Sequence, residues 1–385
     1  MASLSYTEHS HCRVCSQALL PVLDLGSQPP ANAFVLPGEP PPPRFPLQVL
    51  RCADCALLQL SVVVDPDLLY TGYTYRSGQS PTFRRHCQEL VGRFPAGPGV
   101  WLDLAANDGT LLAAARAAGY DVLGVDPAGD LGAESGIPIM ATPWSEAIAD
   151  RLGMEFDVVT ALNVLGHVAD PLDFLRGIAT ALAPRGVVVI EVPSLLEVVR
   201  HTLYPTFYHE HLTTWSLTAL VRLAEMAGLA VARHEALALQ GGSLHLWLQH
   251  AGLPPEANVA QQVERESPLQ HVETWDDFVR RCEVHRLQWG VELALGSWGA
   301  FPASAKGITW LNTLWPNGDA PVMAIYDDAP SKQGRVVPGQ SHLQVQALGP
   351  PWPERLISFA GNIRSDLEAR LLEAGYTGTF VDPFA

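Results

Sequence analysis

The sequence predicts an α/β protein in three parts, and three observations carry that expectation. Two Cys-x-x-Cys knuckles stand near the start. A strand, loop, helix and second strand closing on a carboxylate run from Val100 to Asp126. A further alternation of helical and strand patterns fills the last third. The expected boundaries are 1–67 for the cysteine module, 68–253 for the central unit and 254–385 for the second α/β unit.

The chain of 385 residues, 48% hydrophobic and 17% charged, is long enough for several cores and has a globular composition. Its net charge of −16 opposes general nucleic-acid binding, because a phosphate backbone requires a basic surface. There is no apolar run of about eighteen residues, and MASLSYTEHSHC lacks a basic-then-apolar opening. The expectation is a soluble cytoplasmic protein without a membrane partner. An anionic ligand would then need a local basic pocket, and the only two lysines, Lys306 and Lys332, both lie in the last third.

Cys12, Cys15, Cys52 and Cys55 form two knuckles of the spacing that suits one tetrahedral zinc. Four thiolates would close the site, so a structural rather than catalytic zinc is expected, although His11 could replace a cysteine. A disulfide pair and free surface thiols are the rival readings. Cys87 and Cys282 stand alone and read as buried apolar fillers. Between the knuckles lie the proline-rich GEPPPPRFP and few basic residues, which points to a module that organises protein rather than binds nucleic acid.

Strands are expected near Leu19 to Leu23 and Leu57 to Val64. The cluster from Tyr70 to Ser77, with Tyr73, Tyr75 and Arg76, reads either as a pocket lid or as a packing seam, and a helical stretch follows through Arg93. In the central unit, Val100 to Ala105 gives the first strand, Asn107-Asp108-Gly109 the loop, Thr110 to Ala118 the helix, and Val122 to Val125 the second strand before Asp126-Pro127. Such a carboxylate typically grips ribose hydroxyls. The loop keeps only Gly109 of a G-x-G-x-x-G pattern and so suits a dinucleotide pyrophosphate poorly. Asp103 and Asp108 instead suit the sulfonium, amino group and ribose of S-adenosylmethionine, so a methyl donor is the expected cofactor.

Ile137 to Met140 reads as a third strand, with Trp144 and Ser145 placed to meet an adenine. A fourth strand, Phe156 to Ala161, delivers Asn163 and His167 at its carboxyl end, where ligands bind in open α/β sheets. A helix from Pro171 to Ala183 should stop at Pro184-Arg185-Gly186, followed by the strand Val187 to Val192. A helix over Ser216 to Ala227 and a strand pair, Leu229 to Leu237 and Ser243 to Gln249, complete that sheet. In the last unit, Ser304-Ala305-Lys306-Gly307 and Ser331-Lys332-Gln333-Gly334-Arg335 read as basic loops suited to a diphosphate.

Phe207-Tyr208-His209-Glu210-His211 follows the fifth strand, where a substrate reaching the donor would lie. Extended, His209 and His211 would share a side; in a helical turn, Tyr208 and His211 would converge. One histidine could act as a base near neutral pH, with a carboxylate fixing its tautomer. A metal site is the rival reading, but H-E-H lacks the i, i+4 histidine spacing of a helical zinc site. A buried structural network is the other.

Taken together, these residues resemble the S-adenosylmethionine-dependent C-3-methyltransferases of dTDP-4-keto-deoxysugars in antibiotic biosynthesis. The resemblance spans nearly the whole chain. It rests on the paired knuckles, YTYRS, LAANDGTLL with VLGVDP, LNVLGHVADP, EVPS, FYHEHLTTWS, QGGSLH, and AKGITWLN with YDDAPSKQGRVVPG, in that order. It implies a zinc-binding N-terminal module, a central Rossmann-like class I methyltransferase domain and a second, Rossmann-like C-terminal domain that helps bind the nucleotide sugar. It also implies that His211 is the base, with Tyr208, Glu210, His167 and Tyr75 as further active-site groups. The donor would be held by Asp103, Ala105, Asn107, Asp108, Gly109, Asp126, Pro127, Trp144, Ser145 and Asn163. Tyr73, Arg76, Lys306, Lys332 and Arg335 would hold the dTDP-4-ketosugar.

This chain departs from the family pattern at Ile308, where asparagine is usual, at Trp310, at His245, where arginine is common, and at Asp103, where glutamate is frequent. The changes at Ile308 and His245 would bear on nucleotide or sugar contacts and leave the methyl-transfer core intact. Monomer and homodimer are both compatible with the resemblance. A ketoreductase acting on the same carbonyl, alone or as a second activity, would need NADPH, yet neither α/β unit offers G-x-G-x-x-G. A zinc-containing binding protein with a degenerate methyltransferase core is the third possibility.

Overall fold

The computed structural model describes residues 6–70, 76–128, 135–237, 241–252, 255–359 and 364–384. Its centre is a seven-stranded sheet in the order Leu229–Leu237, Ser243–His250, Leu182–Pro193, Phe156–Leu162, Val100–Leu104, Asp121–Val125, Ile139–Met140. Only Ser243–His250 runs against its neighbours. The inner strands are covered on both faces, which is why Val158, Val159, Val188, Val189 and Ile190 form almost unbroken buried apolar runs. One face packs under the helices Pro171–Ala181 and Leu217–Met226, the other under Pro81–Val91 and Thr110–Ala117.

Local signals set the helix starts. Asp170 caps Pro171–Ala181 by accepting from Asp173 N at 3.0 Å, with Pro171 at the first helical position, where its missing N–H is harmless. The helix ends earlier than expected. The expected stop at Pro184-Arg185-Gly186 falls inside the strand Leu182–Pro193, as an irregularity in its pairing between Leu182 and Val187. The third strand is likewise only Ile139–Met140, since Pro138 has no N–H to give a ladder and Gly136 turns at φ 66°.

The cysteine module is a four-stranded antiparallel sheet ordered Thr213–Thr214, Leu58–Leu60, Phe45–Cys52, Leu19–Gln28. Its first strand belongs to the central part of the chain: Thr213 pairs with Gln59 and Thr214 with Leu58. The boundary expected at residue 67 is therefore crossed by the segment that directly follows His211. The boundary expected at residue 253 is also crossed. Val259, on the helix Ala257–Arg265, lies in the core of the central unit, and Glu266 caps Leu217–Met226 by accepting from Leu217 N at 2.8 Å and Thr218 N at 2.9 Å.

The 24-residue helix Val272–Leu295 leads into a six-stranded sheet ordered Val336–Val337, Gln340–Gln346, Val322–Tyr326, Trp298–Ala300, Arg355–Ile357, Thr379–Val381. All its pairings are parallel except that of the short edge strand Val336–Val337. One apolar cluster joins all three parts: Leu47 and Val49 from the first, Leu195, Val198 and Phe207 from the second, Phe278, Trp298 and Trp310 from the third. The segment leading to His211 is thereby clamped on three sides. No helix among the described residues is long and apolar enough to cross a membrane.

Candidate active site

After the short helical turn Tyr204–Thr206, the chain makes a tight turn in which His211 N donates to Tyr208 O at 2.8 Å. The turn selects the second of the two sequence alternatives. Tyr208 and His211 converge, with the hydroxyl 2.7 Å from Nε2. On its other side, His211 Nδ1 lies 2.8 Å from the carbonyl of Thr206. A carbonyl only accepts, so Nδ1 carries the proton and Nε2 presents a lone pair, to which Tyr208 donates.

Burial holds His211 well below the ordinary imidazole range, reinforced by His167 and by the charge of Lys306, with the Thr206 carbonyl opposing. The His167 ring meets that of His211 edge to face at 4.9 Å, and burial holds His167 at about 4. Both rings are therefore neutral at physiological pH. Together with Asn163, Gly166, Pro193, Thr206 and Thr213–Trp215 they line a small pocket, partly open to solvent.

Glu210 does not perform the expected service to a histidine. Its Oε1 accepts from Asn32 Nδ2 of the cysteine module at 3.0 Å, and burial raises the carboxyl to about 6. A backbone carbonyl, that of Thr206, fixes the tautomer instead. His209 also faces away, its Nε2 bonded to the carbonyl of Pro46 at 3.3 Å, and burial lowers it to about 4. The two middle residues, His209 and Glu210, thus tie the turn to the N-terminal module while His211 lines the pocket with Tyr208 bonded to it.

A second pocket lies at the carboxyl ends of the first two parallel strands, lined by Asp103, Ala105, Ala106, Asp108, Phe83 and Leu162 among others. Ala105 and Asn107 adopt φ of 59° and 50°, and Gly109, at φ 78°, starts the helix Thr110–Ala117. A Cβ at Gly109 would come within 3.1 Å of Ile137 and Ser135, so the one surviving glycine of the loop is required by its conformation and its neighbours. Asp126, followed by Pro127, stabilises the loop by accepting from Asn107 N at 2.8 Å and from Ala128 N at 2.7 Å. Asn107 and Asp108 in turn accept from Ser77 N at 2.9 Å and Gly78 N at 2.8 Å, which fastens the segment after the tyrosine cluster over the loop.

The electrostatics of this pocket test its cofactor. Asp103 is buried; burial and the nearby Asp126 raise it to about 7, opposed by the Thr160 hydroxyl 2.6 Å away. Two buried carboxylates, Asp103 and Asp126, for which no ion pair is seen among the described residues, suit a cationic ligand and disfavour a pyrophosphate. S-adenosylmethionine fits that requirement.

Several expected contacts are placed elsewhere. Trp144 is buried in the core, its indole N–H donating to Phe174 O at 3.2 Å, and Ser145 caps Glu146–Leu152 by accepting from Ile148 N at 3.2 Å. Both are used by the fold rather than turned toward an adenine. Asn163 lines the His211 pocket and not the Asp103 pocket. Ser304–Gly307 is no loop: Ser304 caps the helix Ala305–Leu314, and Lys306 sits in its first turn, where burial lowers it to about 8 against the opposing charge of Asp382. Lys332 Nζ is 3.0 Å from Asp327 Oδ2 and 2.9 Å from Ala303 O, so its charge is already balanced. Arg335 reaches the carbonyl of Phe34 at 3.4 Å, and Arg76 precedes the short turn Ser77–Gln79. Tyr73 and Tyr75 lie outside the described residues.

The sequence reading named Asn163 as a donor ligand and His245 as a departure from the family pattern, but assigned no role to Glu191 or His86. Glu191 Oε2 lies 2.7 Å from His86 Nε2 and 3.2 Å from His245 Nδ1, while Oε1 accepts from Asn163 Nδ2 at 3.0 Å. The available signal was a glutamate inside the otherwise apolar strand VVVIEVP.

The four cysteines converge at the base of the N-terminal sheet, with sulfur separations of 3.3 Å for Cys15 and Cys52, 3.5 Å for Cys12 and Cys55, and 3.7 Å for Cys15 and Cys55. Tetrahedral zinc with bonds of about 2.3 Å sets sulfurs about 3.8 Å apart, so the cluster fits the ion within a few tenths of an ångström. All four positions are thiolates, which leaves no open coordination site. His11 instead bonds its neighbour, Ser10 Oγ to Nδ1 at 3.0 Å. Cys87 and Cys282 are fully buried, as expected.

The largely parallel sheet, the acidic pocket at its carboxyl edge and the cluster of four cysteines are those of an S-adenosylmethionine-dependent methyltransferase with a zinc-binding domain. Residues 12–70 match a family model described as a putative zinc binding domain, 77–234 one described as a methyltransferase domain, and 238–381 one described as a C-methyltransferase C-terminal domain. The three matches follow one another over most of the chain in the order zinc binding, methyltransferase, C-methyltransferase C-terminal. C-methyltransferase NovU of Streptomyces niveus is 28% identical over 97% of this chain and 94% of its own length. Ubiquinone biosynthesis O-methyltransferase of Methylococcus capsulatus is 36% identical over 23% of this chain and 40% of its own. Among solved structures, magnesium protoporphyrin IX methyltransferase of Synechocystis, with bound S-adenosylhomocysteine, is similar at 14% identity and a TM-score of 0.36, covering 44% of this chain and 83% of that one. None of the three family descriptions concerns a nicotinamide site.

Proposed function

We propose that this C-methyltransferase moves a methyl group from S-adenosylmethionine to carbon 3 of a dTDP-4-keto-(2,6-di)deoxysugar, in cytoplasmic deoxysugar or antibiotic biosynthesis. The observation that carries the reading is the state of His211: a neutral imidazole of fixed tautomer that lines a pocket at the carboxyl edge of the sheet, its unprotonated Nε2 held by the Tyr208 hydroxyl until a substrate takes that hydroxyl's place. A C–H is not acidic enough to attack a methyl group unless an adjacent carbonyl takes up the charge. Nε2 removes the proton, and the electron pair of the broken C–H bond moves to the carbonyl oxygen to give an enolate. The enolate carbon then forms the new bond to the methyl group as the bond from that methyl to sulfur breaks, its electron pair leaving with the thioether S-adenosylhomocysteine, and the imidazolium releases its proton to solvent.

The bound donor supplies an electrophilic methyl on a sulfonium. The chain supplies position and charge. Thr206 holds Nδ1–H and thereby favours the imidazolium as it forms, Tyr208 is the hydroxyl available to the developing oxyanion, and Asp103 and Asp126 favour the cationic donor. Lys306 and Arg335 are assigned to the diphosphate, while the Lys332 charge is balanced by Asp327. The test is incubation of the protein with methyl-labelled S-adenosylmethionine and a dTDP-4-keto-2,6-dideoxysugar. The label should appear on a ring carbon next to the carbonyl. Label on oxygen, or none on the sugar, would overturn the reading.

A further inference from the structure

Three residues that line the His211 pocket carry buried polar atoms without a protein partner: Asn163 Oδ1, Thr206 Oγ1 and Trp215 Nε1. Leaving such groups unpaired costs about 1–3 kcal/mol each, so a pocket that collects three of them is built for a polar ligand. Their chemistry is specific. Trp215 can only donate, Thr206 can do either, and the face that Asn163 offers depends on which way its amide is turned.

Glu191 decides that orientation. The amide Nδ2 donates to Glu191 Oε1 at 3.0 Å, and a flipped amide would bring Oδ1 against the carboxylate instead. The carboxylate is itself fixed. Burial alone would raise it, but His245 and His86 share its other oxygen at 3.2 and 2.7 Å and hold it at about 2, fully ionised. The backbone is fixed as well: Asn163 N donates to Glu191 O at 2.8 Å, and its φ of 56° lies in the left-handed region, which asparagine tolerates better than most residues.

Building on the function proposed above, we infer that Asn163 is a specificity-determining acceptor, locked by Glu191, that receives the hydrogen of a hydroxyl on the carbon to be methylated. The pocket then selects an α-hydroxyketone: the hydroxyl gives its hydrogen to Asn163 Oδ1, while Trp215 Nε1 and the Thr206 hydroxyl can join Tyr208 as donors to the oxygens of the ligand. Glu191 acts through Asn163 and is a positioning residue.

The test compares two dTDP-4-ketosugars that differ only in the presence or absence of the hydroxyl at carbon 3, reading kcat and KM separately, with donor binding and thermal unfolding as controls for folding. Wild type should favour the hydroxylated sugar by at least about 10-fold in kcat/KM, because a site built to bond a hydroxyl strongly rejects the analogue without it. Asn163→Ala should erase the preference. Asn163→Asp should erase it too, by setting two carboxylates about one hydrogen-bond length apart. Combining Asn163→Asp with Glu191→Gln exchanges donor and acceptor across the pair, keeps the net charge and returns an oxygen to the pocket, so the preference should reappear.

A preference that survives in Asn163→Ala, or a double variant no better than Asn163→Asp, would overturn the inference. Equal turnover of both sugars by wild type would overturn it and leave the proposed function standing. Turnover of neither sugar would overturn both.

Discussion

The Tyr208 hydroxyl lies 2.7 Å from His211 Nε2, and the two rings are tilted by 32° with centroids 4.0 Å apart. That contact exists because the chain turns between them, and the Thr206 carbonyl behind the imidazole assigns the proton to the far nitrogen. The lone pair is thereby aimed before any ligand enters.

Removing that lone pair should abolish most of the chemistry and little of the binding. General-base catalysis contributes about 10²–10⁴-fold, so His211→Asn should lower kcat by that order while calorimetry finds S-adenosylmethionine bound as in wild type. Tyr208→Phe should lower kcat less, since it removes a hydrogen bond and not the base.

Asp103 ties stability to pH and to the donor. Its folded value, about 7, lies above its ordinary value of 3.8, so between those two values the folded protein binds the extra proton and stability falls as pH rises. At pH 8 the ionised, buried carboxylate destabilises the unliganded protein by up to about 4 kcal/mol, at about 1.4 kcal/mol for each pH unit. Asp103→Asn should therefore raise the unfolding temperature at pH 8, change it little at pH 4, and weaken donor binding. A variant that is neither more stable at pH 8 nor weaker for the donor would contradict this role.

Zinc should matter to the distant base. The strand Leu58–Leu60 follows Cys52 and Cys55 directly and pairs with Thr213–Thr214, two residues beyond His211. Chelation, or Cys52→Ser, should lower the unfolding temperature and reduce methyl transfer together, with zinc content by metal analysis falling from one per chain. Loss of stability at constant kcat would show that the His211 turn stands without the module.

Much of this was legible because local chemistry fixed it. The knuckle spacing, the carboxylate of Asp126 after an apolar strand and the dense FYHEH motif each mark a place in the fold within a few residues. The rest depended on partners distant in sequence or on backbone atoms. Glu210 turns to Asn32, 178 residues earlier, and the tautomer of His211 is set by a main-chain carbonyl, which no residue type announces. Trp144 could as well have met a nucleobase as a core; the carbonyl of Phe174, thirty residues on, decides for the core. Lys332 looked like a phosphate ligand until Asp327 was seen to pair with it. Helix and strand identities survived because their patterns are long, whereas the packing of Thr213–Thr214 and Ala257–Arg265 across the expected boundaries depends on partners that no local pattern announces.

The most direct measurement is proton exchange at carbon 3 of a dTDP-4-ketosugar, followed by NMR in deuterated water with S-adenosylhomocysteine replacing the methyl donor. Wild type should exchange that hydrogen for deuterium, and His211→Asn, folded and still binding S-adenosylhomocysteine, should not. Exchange at an undiminished rate in the variant would show that another group removes the proton.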